Sequence, residues 1–277
     1  MKQHIWHAMQ QLVRFGWQQA LSCLFPVVIF ASLALTQLLP FPWLSRYDWL
    51  LIICLAMQVW MVRSGLETSD ELKVISVFHL IGLALEMFKV HMGSWSYPEE
   101  GLAKVNGVPL YSGFMYASVA SYLCQAWRRL SIRLEHFPPL WLSVPLAAMI
   151  YLNFFTHHFW IDIRWWLFAW VVLVFWRTHV HYEVGVKRYH MPLVLSFVLI
   201  GFFIWVAENI ATFFSAWKYP NQTGGWHLVH IGKISSWLLL VIISFLIVAA
   251  LKQVKNKCKD TKPALDHRAA KVHTPQR

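Results

Sequence analysis

Two carboxylates stand out in an otherwise greasy chain. Glu86 opens the stretch EMFKVHMGSWSYP, residues 86–98, and Glu208 opens ENIATFFSAWKYP, residues 208–220. Both lie in apolar runs of helical length, where an ionisable group is costly and is expected to face a protein interior or a wet cavity. Laid over each other without a gap, the stretches place Glu86 on Glu208, Trp95 on Trp217, Tyr97 on Tyr219 and Pro98 on Pro220, a displacement of 122 positions from 86 to 208. Each glutamate precedes its tryptophan by nine residues, which puts it roughly a dozen ångströms deeper along a helix. The aromatic pair suits the headgroup level of a membrane and the proline stops the helix, so Trp-x-Tyr-Pro by itself reads as an anchor and a stop. The glutamates demand more than that.

The chemistry open to them depends on their neighbours. His79, Gly82, Glu86, Lys89 and Gly93 share one helical face, a polar stripe with small residues that belongs against other helices. Lys89 is expected to meet Glu86 at i+3 and keep it ionised. In the second stretch Ala211 stands where the lysine would be, while Thr212 and Ser215 share the face of Glu208 and Lys233 offers a distant partner. Burial and a lysine neighbour push a carboxyl's pKa in opposite directions, and the sequence leaves the balance open. Glu208 is therefore the candidate proton donor and Glu86 its ionised counterpart. His79, Lys89, Trp95, Tyr97, Trp217, Tyr219 and Lys233 are the candidate binding residues. An interhelical ion pair that only holds the bundle together is the structural alternative.

What must position these groups is a membrane bundle. The 277 residues are 58% hydrophobic and 16% aromatic with 13% charged, a balance that fits the bilayer rather than water as solvent. Apolar stretches near spanning length fall at about 19–39, 48–63, 74–92, 109–127, 139–156, 163–180, 192–214 and 230–251. The expected fold is an all-α polytopic bundle of eight transmembrane helices. The 122-residue displacement carries the third span onto the seventh and the fourth onto the eighth, which predicts two four-helix halves, 19–130 and 131–251, repeated in parallel. Residues 1–18 carry Ile5, Met9, Leu12, Val13 and Trp17 at helical spacing and read as an amphipathic segment on the cytoplasmic surface. Residues 252–277 read as a basic, disordered cytoplasmic tail.

The formal charge of +11 bears on orientation rather than on nucleic acid, because no soluble basic module exists outside the tail. Arg14, Arg63, Lys73, Arg128, Arg129, Arg133, Arg177, Lys187 and Arg188 fall on one side of an eight-span path. That side is the cytoplasm by the positive-inside rule, with both termini inside. The expected location is the bacterial inner membrane, with membrane lipids as partners; the oligomeric state is left open.

Other chemistries lack their handles. Cys23, Cys54, Cys124 and Cys258 form no CxxC and no disulfide framework. His91, His157, His158, His227 and His230 fall on the outer side, and His179, His181 and His190 on the cytoplasmic side, with spacings too loose to specify a metal. GxSxG, HExxH and phosphate-cradling GxxxxGKS patterns are missing, and no cofactor is implied. Asn221-Gln222-Thr223 matches the glycosylation sequon, a weak three-residue pattern.

With GSWSYP followed by GVPLYSGFMYASV, and WKYPNQ followed by a lysine-bearing last span, the chain resembles a bacterial integral membrane family of unknown function. More distantly, Trp95-Ser96-Tyr97-Pro98, Gly101 and Gly107-Val108-Pro109-Leu110 resemble the layout of membrane carotenoid enzymes, the heterodimer-type lycopene cyclases and the carotenoid hydratases. That resemblance implies a symmetric bundle acting on a long polyene. It departs where the cyclases place an acidic pair after the proline, since Leu110, Tyr111 and Ser112 follow Pro109 here. Glu86 and Glu208 are then the acids left for a general-acid role in hydration or isomerisation of an alkene. The expected function is binding, with modification, of an apolar isoprenoid or lipid between the halves. A proton-coupled transporter of ions or small solutes and a non-catalytic scaffold are the alternatives, and the sequence does not decide whether the protein is an enzyme.

The path through the membrane is directly testable. Reporter fusions after Arg14, Arg133, Arg188 and Lys257 are expected to report cytoplasm and those at Lys104 and Gln222 the outer side. A cytoplasmic signal at Gln222 would overturn both the eight-span path and the repeat built on it.

Overall fold

The structure is a computed structural model that describes the backbone of residues 2–39 and 43–272, and side chains over 5–39 and 43–252. It is mostly helical. The helices are α1 (Lys2–Ser22), α2 (Leu24–Leu38), α3 (Arg46–Arg63), α4 (Ser69–His91), α5 (Ser112–Arg129), α6 (Leu140–Thr156), α7 (Arg164–Phe175), α8 (Leu193–Phe213) and α9 (Lys233–Val272). Trp95, Trp217 and the ends of α4 and α8 lie at one end of the bundle, called the motif end below. The opposite, basic end carries α1 and the arginine-rich connections.

The first span expected from the sequence is broken. Pro26 has no N–H to bond the Ser22 carbonyl, so the helix stops there and restarts at Leu24 with a 70° bend. Residues up to Ser22 therefore belong with the amphipathic segment. Ile5, Trp6, Met9, Leu12, Val13 and Trp17 point outward from α1, whereas Gln11 is buried and Phe15 packs on Tyr182. At the far end the backbone is helical to Val272, and of the tail expected from residue 252, residues 273–277 lie outside the described part.

The described helices make a membrane protein, with a more guarded span count than the sequence pattern suggests. By length and composition α4, α8 and Lys233–Lys252 of α9 can cross a bilayer, and the bent pair α1 and α2 makes a fourth if it is one span. The reasons for the difference are physical. The 12 residues of α7 rise only about 18 Å against a hydrocarbon core of roughly 30 Å. The helix α5 is too polar for an apolar span, because it is enclosed by protein: Ser112, Gly113, Ser118, Ser121 and Gln125 are among its buried residues.

The core divides into two connected clusters, one around Phe25, Tyr47 and Tyr111, the other around Phe175, Phe197 and Phe245. In a bilayer such clusters gain by close packing rather than by leaving water. Small residues let the helices approach. A Cβ on Gly82 of α4 would sit 2.5 Å from the Tyr116 ring of α5, and one on Gly201 of α8 would sit 3.0 Å from the Leu238 backbone of α9. The packing is set by glycine at both places.

Strands modify the all-α expectation. A hairpin, β1 (Lys104–Val105) with β2 (Val108–Pro109), turns through Asn106-Gly107 near the motif end. At the basic end β3 (Arg133–Glu135), β4 (His179–Val184) and β5 (Lys187–Pro192) form an antiparallel sheet in that order. Alternation puts Val180 and Tyr182 toward the bundle and His179, His181 and Glu183 on the other face. The sixth span therefore ends at Phe175, and the residues up to 180 begin a strand instead.

The Gly82 contact yields a measurable cost. Gly82→Ala is expected to lower the stability of the detergent-solubilised protein by about 1–3 kcal/mol, the usual cost of overpacking. Gly16→Ala, where nothing lies within 4 Å of the added carbon, should be neutral or stabilising. A thermal midpoint for Gly82→Ala at or above wild type would show that Tyr116 does not depend on this glycine.

Candidate functional site

The site is built by two helix ends that fold back on themselves. After α4, Gly93 takes a left-handed φ of 68° and the Ser94 N–H bonds the Lys89 carbonyl at 2.9 Å. The same arrangement follows α8, where Ser215 has φ 54° and the Ala216 N–H bonds the Ala211 carbonyl at 3.0 Å. Glycine takes this conformation freely and serine does so at a cost, which marks the second reversal as the more strained. Both reversals return the next residues toward their own helix. Ser96 and Lys218, equivalent by the 122-residue displacement, then exchange N–H to carbonyl bonds of 2.9 Å in each direction. Trp95 stacks edge-on to Tyr219 with ring centres 5.9 Å apart.

Glu86 is buried and receives three donors. Its Oε2 accepts from the Trp95 indole at 2.7 Å and the Tyr97 hydroxyl at 2.8 Å, and its Oε1 accepts from the Tyr116 hydroxyl at 2.6 Å. Glu208, also buried, has Oε1 bonded to the Tyr219 hydroxyl and Oε2 to the Trp237 indole at 2.7 Å. An indole can only donate, whereas a phenol donates or accepts. Within the protein network, a proton reaching or leaving Glu208 thus passes through Oε1 and Tyr219. Glu86 has such a route at both oxygens, through Tyr97 and Tyr116. Trp217 is buried, and the indole that donates to Glu208 comes from Trp237 of α9 instead.

Both carboxylates line one cavity of about 810 Å³ that runs from them to the underside of α1 and β4. Apart from the glutamates and their aromatic partners, its wall is made chiefly of apolar side chains such as Phe30, Met115, Ile200 and Phe245. Such a space holds a hydrocarbon and leaves few polar groups to fix its orientation.

Two expected contacts are corrected. Lys89 does not pair with Glu86. Its ammonium donates to Nε2 of His157 at 3.3 Å and of His158 at 2.9 Å, at the end of α6. The His157 Nδ1–H donates to the Asn153 carbonyl at 2.7 Å, which leaves its Nε2 free to accept. Burial, with Lys89 and His157 beside it, pushes His158 down to about 4. Lys233 likewise makes no ion pair with Glu208 within 4.0 Å; it lies over the rings of Trp95 at 5.3 Å and Tyr219 at 4.8 Å. His79 packs on Phe114 and closely against Gly113, and its Nδ1 is buried without a partner. Among the described residues, no three His, Cys, Asp or Glu side chains gather to hold a metal.

Reasoning from the sequence missed Tyr116 and Trp237. Neither belongs to a repeated stretch, yet each lies in the helix that follows one and packs against it. The signal available was the displacement itself, which brings Tyr116 within one position of Trp237.

The chain matches a family model described as "Protein of unknown function (DUF817)" over residues 11–245. It is 74% identical over 259 residues to the "Uncharacterized protein YoaT" of Bacillus subtilis (strain 168), covering 94% of this chain and 98% of the relative. Two crystal structures of MvINS, a mycobacterial Insig homolog from Mycobacterium vanbaalenii, one of them a cross-linked trimer, superpose with a TM-score of 0.48 at 11% identity. They cover 66% of this chain and 93% of theirs. By the extent of the family match and the identity to its relative, the chain belongs to the membrane protein family of unknown function DUF817.

Proposed function

We propose that this is a multi-pass protein of the bacterial inner membrane that binds an apolar isoprenoid or similar long-chain lipid between two pseudo-symmetric halves and presents it to Glu208 and Glu86. The cavity carries the proposal. A space of about 810 Å³ walled by hydrocarbon and closed at one end by two carboxylates suits a chain of carbons with a reactive group to be protonated. Walls this apolar offer an ion or small solute no substitute for its hydration, which weighs against transport. An open cavity also weighs against a sealed scaffold.

Several features support the two halves. The helices α2, α3, α4 and α5 precede α6, α7, α8 and α9 by close to the same displacement, and α4 packs on α5 as α8 packs on α9. A residue that pairs reciprocally with its own counterpart, as Ser96 does with Lys218, is what a twofold axis between the halves requires. With four helices in each half the axis lies along the membrane normal. In an eight-pass arrangement α6 and α7 turn Trp141, Leu152, Trp166 and Leu173 to lipid.

In this reading Glu208 is the general acid, with Tyr219 passing the proton and Trp237 holding Oε2. Glu86, with three donors on its two oxygens, is the fixed partner across the cavity.

Organic extraction of the purified protein, followed by mass spectrometry, tests the proposal. A discrete prenyl or polyene lipid is expected from wild type; bulk phospholipid alone, matching that on an unrelated membrane protein, would sink it. Glu208→Gln keeps the shape, and the Tyr219 hydroxyl can rotate to accept from the amide. That variant should stay folded and shift the bound pool from product to substrate, and an unchanged pool would remove Glu208 from the role of acid.

A further inference from the structure

The two ends of the cavity differ in a way that bears on how a lipid enters and which part of it meets the carboxylates. At the motif end the seam between α2 and α8 is tied by Arg46. Its Nη2 donates to the carbonyls of Leu33 at 3.1 Å and Phe214 at 2.5 Å, while Nη1 donates to the Ser215 carbonyl at 3.3 Å and to Glu99 at 2.7 Å. Nearer the basic end no such tie is present among the described residues. There Val27 of α2 and Leu199 and Phe203 of α8 line the cavity and are 54%, 42% and 64% exposed. Wall residues this exposed mark an opening, and this one faces the lipid of the basic-end leaflet.

Height matters as much as position. From Leu193 at the basic end to Glu208, α8 climbs about 23 Å at the helical rise. A lipid of the basic-end leaflet keeps its head at that surface, because drawing a charged head into the hydrocarbon is strongly unfavourable. Only its chain can reach the glutamates. The surroundings of the opening suit an anionic head: Arg14 lies against Gly185, the Arg129 Nε is buried without an acceptor, and Lys187 opens β5 two residues beyond Gly185. The carboxylates of that sheet are already engaged, Glu135 with His181 and Glu183 with Arg188.

We infer that the ligand is a single-chain amphiphile with an anionic head, that it enters sideways from the basic-end leaflet between α2 and α8, and that it lies with the end of its hydrocarbon chain at Glu86 and Glu208. This rests on the lipid-binding reading above and adds to it an orientation and a substrate class. The reacting double bond is then the terminal one of the chain, and the head group stays remote from the acid.

Two photoreactive long-chain alkyl phosphates separate the possibilities, one with a diazirine beside the phosphate and one with it at the chain terminus. In the full-length protein in bilayers, the terminal diazirine should label the peptides holding Glu86, Tyr116, Tyr219 and Trp237, and the phosphate-proximal diazirine those of α1 and β4. The reverse pattern would overturn the inference and leave lipid binding standing. Absence of both labels from the cavity overturns the inference whatever extraction finds, and the lipid-binding reading falls with it only if extraction also yields bulk phospholipid alone. Val27→Trp combined with Leu199→Trp should lose labelling by both probes. Leu80→Trp, exposed on α4 and away from the cavity, should label as wild type. Undiminished labelling of the doubly substituted protein would rule out this route of entry.

Discussion

A carboxylate taken out of water must be given donors, and that single requirement shapes the motif end of this protein. Leaving such a group unsatisfied in a low-dielectric interior costs far more than the few kilocalories per mole that hold a fold together. Glu86 therefore needs a chain that turns back at once, so that Trp95 and Tyr97 point down at it. Gly93 makes that turn without strain. The third donor, Tyr116, reaches Oε1 only because Gly82 leaves its ring room against α4. Glycine, tryptophan and tyrosine at these positions are answers to one electrostatic demand.

The second carboxylate meets the same demand with different parts, and the differences locate any chemistry. Ser215 accepts a backbone conformation that Gly93 takes without strain. Trp237 does for Glu208 what Trp95 does for Glu86, but from a neighbouring helix. Lys233 has no lysine counterpart in the first half, where Tyr111 occupies its place and donates to the Ala216 carbonyl. A strict duplicate would give two equal sites. This arrangement gives a heavily donated carboxylate and a less restrained one facing a common space.

Much of this arrangement could be read in the sequence, and the parts that could not share a cause. Glu86, Trp95 and Tyr97, with their counterparts, were visible because the stretch that carries them recurs 122 positions later; the return of the chain that brings Trp95 and Tyr97 onto Glu86 was not. The aromatic residues were legible as anchors but not as donors, since nothing in Trp-x-Tyr-Pro says which way the rings turn. Tyr116 and Trp237 lie 30 and 29 positions from their glutamates and depend on helix packing. Lys89 was misread because i+3 spacing permits a contact without requiring it, and the fold instead brings its ammonium to the imidazoles of His157 and His158 at the end of α6. The sheet was hidden for a similar reason: the three residues of β3 are a strand only because β4 lies beside them, more than forty positions later. The Asn106-Gly107 turn, by contrast, is a local signal that was present and passed over.

The sequence distance between each glutamate and its donors has a consequence for how the protein is made. All three donors to Glu86 lie between residues 95 and 116, so the carboxylate is satisfied as soon as α5 has emerged from the ribosome and packed on α4. The first half can wait in the membrane with Glu86 already satisfied, although Lys89 still lacks His157 and His158. Glu208 is less fortunate, because Trp237 arrives only with the last helix. Until α9 inserts, the nascent chain holds Glu208 by Tyr219 alone, on a turn strained at Ser215. Insertion of α9 thus completes the second site, and a chain truncated before α9 would present Glu208 to the insertion machinery without its indole donor.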